Sequence, residues 1–185
     1  MTLWIILAII VILAFAIMGI YNKLIQLKNK VDEGWSDIDT QLKRRYDLIP
    51  NMVETVKGYA SHEKTTFEEV TKARTAAMGA TTPQDKIAAE NALSGALKTL
   101  FAVAENYPEL KANQNFLDLQ NTLKEVEEKL QLSRRYYNAT VRDFNTQIQV
   151  FPNNMVAGMF HFGKRDFFEV GSPEERENVK VSFNS

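Results

Sequence analysis

The chain opens with LWIILAIIVILAFAIMGI, from Leu3 to Ile20, a run with no charged residue. As a helix it is about 27 Å long, close to the hydrocarbon thickness of a bilayer. Trp4 and Tyr21 stand at its two ends, where interfacial aromatics belong. Ala14-Phe15-Ala16 resembles a signal-peptidase site, but no basic region precedes it and the apolar run continues beyond it. The expectation is therefore a transmembrane helix over residues 1–20. Lysines follow the run at positions 23, 28 and 30 and none precedes it, so the positive-inside rule puts the N-terminus outside and the rest in the cytoplasm.

The remainder reads as helical throughout. Leu24, Leu27, Val31, Trp35, Ile38, Leu42, Tyr46 and Ile49 recur at steps of three and four, which is one apolar stripe along a helix. No breaker separates this stripe from the membrane segment, so one continuous helix is expected, with a kink or restart at Pro50. Met52, Val53 and Val56 carry the face on to Ala60. Thr65-Thr66-Phe67-Glu68 has the form of a capping box opening a second helix. After a turn at Gly79–Thr82, Thr82-Pro83-Gln84-Asp85 is a start signal for a third helix ending near Glu105. Asn106-Tyr107-Pro108 reads as a loop. Asn113 or Asn115 caps a fourth helix whose stripe runs from Phe116 through Leu130 and Phe144 to Phe151, where Pro152 stops it.

The fold class expected is all-α: an N-terminal transmembrane helix continuous with a long antiparallel four-helix bundle of two long and two shorter helices. It divides into a transmembrane helix over 1–20, a bundle over 21–151, and a short amphipathic helix with an extended tail over 152–185. Phe151 to Phe168 is rich in aromatics and methionine, and the return of the fourth helix brings it to the membrane-proximal base. There it caps the bundle, meets a neighbouring subunit, or lies at the headgroups with a short helix from about Asn153 to Phe160. Val179 to Phe183 alternates apolar and polar residues, as an extended segment or edge strand would.

The chemistry-bearing residues are sparse. The net charge of -1 offers no basic field for nucleic acid, and with no cysteine there is no disulfide, thiolate ligand or thiol nucleophile. His62-Glu63-Lys64-Thr65-Thr66 lacks the second histidine of a zinc helix, and the other histidine, His161, is remote in sequence. No phosphate-binding glycine motif is present. Arg44-Arg45 and Arg134-Arg135 flank the apolar stripes and read first as ion pairs along a helix seam, second as an anion or phospholipid site. Glu68-Glu69 and Glu127-Glu128 diverge on a helix and read as solvated. No catalytic, cofactor-binding or metal-binding residue is assigned, and no cofactor is expected.

Specific strings carry a resemblance. Tyr21-Asn22-Lys23-Leu24 is followed by the run from Trp35 to Asn51, WSDIDTQLKRRYDLIPN, then Glu54 to Ala60, then His62-Glu63. Arg134-Arg135-Tyr136-Tyr137-Asn138 and Phe151-Pro152-Asn153-Asn154 follow near the other end. Together these resemble the LemA family of bacterial proteins, over about residues 1–183. The resemblance implies a membrane anchor, an antiparallel helical bundle, no established activity, and a setting beside membrane proteases or TPM-domain proteins. Some relatives carry a lipid-attachment cysteine before the Tyr-Asn; here Met18-Gly19-Ile20 stands there. Such relatives face outward, so a bundle facing the periplasm or exterior is the alternative to the cytoplasm of a bacterial inner membrane.

The function expected is that of a non-enzymatic, self-associating scaffold in envelope maintenance or stress, with the lipid bilayer and copies of itself as partners. The alternative is an adaptor or regulator of a membrane protease or other membrane enzyme.

Overall fold

The computed structural model describes residues 1–168. Among these there are six helices and no strand: α1 (Thr2–Lys57), α2 (Lys64–Gly79), α3 (Pro83–Glu105), α4 (Pro108–Lys111), α5 (Gln114–Gln147) and α6 (Asn153–Met159). The all-helical class agrees with the sequence. The alternating tail, Val179 to Phe183, lies outside the described residues.

α1 is 56 residues long and joins the apolar run to the first stripe without interruption. Pro50 lies inside it, so of the kink or restart expected there the restart does not occur. A proline at position 50 has no N–H for the carbonyl of Tyr46, four residues back. Arg74 of α2 supplies the missing donor, its Nε donating to Tyr46 O at 2.8 Å.

The chain divides into two compact units. The first takes Met1–Arg45 and Leu123–Phe167. Here Leu24, Val31, Ile38 and Leu42 from α1 are buried, as are Leu123, Val126, Leu130, Tyr137, Val141 and Phe144 from α5. Partner numbers fall on α5 and beyond as they rise on α1: Tyr21 meets Phe160, Trp35 meets Tyr137, and Arg45 meets Glu127. Gly34 sits at a close approach of the two helices, since a Cβ there would lie 3.2 Å from Tyr137 Cα. Leu27 and Trp35 are only half-buried, and Phe151, expected on the stripe, is 79% exposed. It falls outside the stripe because α5 ends at Gln147, and the turn after it takes residue 151 out of helical register.

The second unit is built on Tyr46–Thr122. Its core includes Ile49, Met52, Val56, Val70, Leu93, Leu97, Leu100 and Leu110. α2 starts at Lys64 with Glu63 at the N-cap and no side-chain capping bond, so the expected box at Thr65 does not form. Thr66 is buried within the first turn of the helix instead. α3 starts as the sequence indicates, with Thr82 Oγ1 accepting from Asp85 N at 3.1 Å and Pro83 following. Thr82→Ala is expected to cost about 1 kcal/mol, read by urea denaturation of the full chain in mild detergent. The expected loop at Asn106–Pro108 leads into the extra short helix α4. Of the two asparagines offered as the next cap, Asn113 serves: its Oδ1 accepts from Phe116 N at 3.0 Å.

Candidate functional site: a basic aromatic cleft beside the apolar segment

All side chains from Met1 to Gly19 are solvent-exposed. α1 is the one described helix long and apolar enough to cross a membrane, and none of its apolar window is buried. Where this stretch ends, the first unit builds a cleft of about 470 Å³. Tyr21, Ile25 and Lys28 line it from α1, Phe144 from α5, and Phe160 to Arg165 from the segment after α6.

The floor is aromatic. The Tyr21 ring lies 4.6 Å from that of Phe160 and 5.9 Å from that of Phe162, and Phe144 meets Phe162 edge-on at 6.3 Å. Such tilted arrangements suit ring quadrupoles. The upper wall is fixed by polar bonds to both long helices. Asn145 grips the backbone of Arg165 from both sides, Nδ2 donating to its O at 2.8 Å and Oδ1 accepting from its N at 2.9 Å. Tyr137 OH donates to Asp166 O at 2.9 Å, and Arg165 Nη2 donates to Asp32 Oδ1 at 3.1 Å. His161, in the left-handed region at φ 56°, turns the chain between α6 and this wall.

The charge of the lining is one-sided. Lys28, His161, Lys164 and Arg165 contribute nitrogen, and no carboxylate lines the cleft. Among the described residues, Arg165 is held by Asp32, while neither Lys28 nor Lys164 has a carboxylate within ion-pair distance.

Tyr137 is the titratable group most clearly altered by this packing. Burial pushes its phenol above the ordinary value of 10.0; Arg165 opposes the shift, and Asp166 and Asp32 reinforce it. A raised folded-state pKa means that the unfolded chain releases its proton first. The associated stability is complete below pH 10 and is lost as pH rises through the folded value. Tyr137→Phe is therefore expected to cost about 1 kcal/mol at neutral pH through the lost bond to Asp166. It is also expected to show a shallower fall in stability above pH 10 than the parent chain, measured by urea denaturation across pH 8–11.

The two arginine pairs each split. Arg45 is buried and meets Glu127 at 3.6 Å; Arg134 approaches the same carboxylate at 4.0 Å. Arg44 and Arg135 are exposed. The inner arginines are thus engaged in an ion-pair cluster, in line with the first of the two readings. Glu68, Glu69 and Glu128 are solvated, and Glu127 is half-exposed. His62 is exposed in the turn before α2. No group of three or more His, Asp or Glu side chains arranged to hold a metal occurs among the described residues.

One buried group escaped the sequence reading. Glu90 is fully buried on α3 and accepts a short hydrogen bond from Tyr46 OH, within the second unit. The signal was present in the numbering. Glu90 lies three residues before Leu93 on the stripe that continues to Leu97, Leu100 and Ala104, and a buried tyrosine on α1 requires a partner for its hydroxyl.

Comparison with known proteins places these features. The family model of the LemA family matches residues 34–183. Protein LemA of Metamycoplasma hominis is 29% identical over 172 residues, covering 91% of this chain and 77% of its own. Magnetosome protein MamQ 2 of Paramagnetospirillum magneticum is 22% identical over 175 residues, and magnetosome protein MamQ of Magnetospirillum gryphiswaldense 20% over 174. Each of these covers 80% of this chain, which spans 64% of their length. The chain belongs to the LemA family.

Proposed function

We propose that this protein is a single-pass membrane scaffold without catalytic activity, which associates with copies of itself to support a bacterial envelope. Leu3 to Ile20 crosses the inner membrane with the N-terminus outside, and the helices beyond it form an antiparallel bundle in the cytoplasm. The observation that carries the reading is the exposed apolar stretch of α1, which nothing among the described residues covers. In water, such a surface is far larger than a lone chain tolerates.

Self-association is supported by what stays uncovered elsewhere in the first unit. Met155, Met159 and Phe160 are exposed on and just after α6, and Leu132 and Tyr136 are exposed one turn apart on α5. Within the apolar stretch, a Cβ on Gly19 would meet nothing within 4 Å, so that position is open to close approach by another helix. Cross-linking in native membranes tests the reading. Discrete multimers are expected, and a strictly monomeric product overturns the scaffold. Stoichiometric capture of a membrane enzyme in its place would assign the adaptor role.

A further inference from the structure

We infer that the cleft between Tyr21, Lys28 and the segment Phe160–Arg165 binds the phosphate of an anionic phospholipid headgroup. The inference rests on the proposed membrane crossing by Leu3–Ile20 and adds to it a specific lipid site on the chain.

Position comes first. Tyr21 follows directly on the apolar run, and its ring forms the cleft floor with those of Phe160 and Phe162. If the run crosses the bilayer, this floor lies at the headgroup layer, where amphipathic rings partition. Lys28 is two turns further along α1. Helical side chains lean toward the N-terminus, so its amine reaches back toward that layer, in agreement with its place in the lining.

Charge comes second. A lining with four nitrogen-bearing side chains and no carboxylate is unusual in a chain whose net charge is -1. Arg165 is fixed by Asp32, but Lys28 and Lys164 have no carboxylate partner among the described residues. Both line the same concavity, from two different elements, so a phosphate held in it is offered ammonium groups from α1 and from the segment after α6. The cleft is also rigidly framed: the Asn145–Arg165 pair and the Tyr137–Asp166 bond fix its upper wall before any ligand arrives. Phe160 in the floor is itself partly exposed and directly follows Met159 of α6, so the cleft has an apolar margin.

The test is native mass spectrometry of the full chain in mild detergent, titrated with phosphatidylglycerol and, separately, phosphatidylcholine. Phosphatidylglycerol is expected to remain bound at a ratio of one per chain, and phosphatidylcholine to dissociate. Lys28→Gln with Lys164→Gln is expected to weaken phosphatidylglycerol binding about thirtyfold, with unchanged far-UV circular dichroism. Replacing both lysines by arginine is expected to retain it. Equal binding of the two lipids, or no loss in the glutamine variant, overturns the inference. Displacement of the lipid by inorganic phosphate at matched concentration also overturns it, because the site would then belong to a soluble anion. Carbonate extraction of membranes from producing cells separates the two levels of the argument. Release of the chain overturns the membrane crossing and this site together, whereas retention without anionic preference overturns the site alone.

Discussion

Replacing Arg74 with alanine is expected to destabilise the chain by about 1–3 kcal/mol, because the Tyr46 carbonyl would be left in a buried setting without a strong donor. The size of the effect follows from Pro50. In an ordinary helix the amide at position 50 would satisfy Tyr46 O, and loss of an arginine contact would cost far less. Pro50→Ala restores that amide and removes the ring's pressure on the same carbonyl. In the Pro50→Ala background, the cost of Arg74→Ala is therefore expected to shrink below about 1 kcal/mol. A double-mutant cycle by urea denaturation of the full chain in mild detergent measures the coupling. Additive effects of the two substitutions would show that Arg74 acts through its charge and not through the carbonyl that Pro50 deprives of its helical amide.

Placing arginine at both Ile9 and Ile12 is expected to release the chain from the membrane. Each arginine near the centre of a spanning helix opposes insertion by about 2.5–3.5 kcal/mol, so the pair shifts the balance by about 5–7 kcal/mol. Both side chains are exposed, at 52% and 67%, so the packed units lose no contact. The variant is expected in the carbonate-soluble fraction with its helical circular dichroism preserved. Retention in the membrane pellet would mean that the chain is held by something other than α1.

Both stripes could be read from the sequence because their periodicity is long: Leu24, Val31, Ile38 and Leu42, and Val126, Leu130, Val141 and Phe144, are buried as their spacing requires. The start of α3 was equally plain, since Thr82, Pro83 and Asp85 each act within four residues. What failed depended on partners distant in sequence. Pro50 read as a breaker because Arg74, which compensates for it, belongs to another helix. Glu90 was not singled out, because its partner Tyr46 lies 44 residues away. Thr65 read as a cap because the local pattern is valid, yet the helix begins one residue earlier, at Lys64. The cleft was half-legible. The aromatic character of Phe151–Phe168 was plain in the residues themselves. The placing of Lys28 and Lys164 in the lining of one cleft was not, since neither lysine belongs to an apolar pattern.

The uninterrupted helix through Ile20 and Tyr21 also fixes an angle. The apolar segment and the stripe that follows share one helical phase, so each face of the segment has a set azimuth relative to the cleft. Adding one residue at this junction would turn the two by about 100° and change their separation by only about 1.5 Å. Adding seven would lift the cleft by about 10 Å while almost restoring the azimuth. In the proposed crossing, depth and rotation at the membrane surface can thus be varied separately, and both are written into the spacing between Ile20 and Leu24.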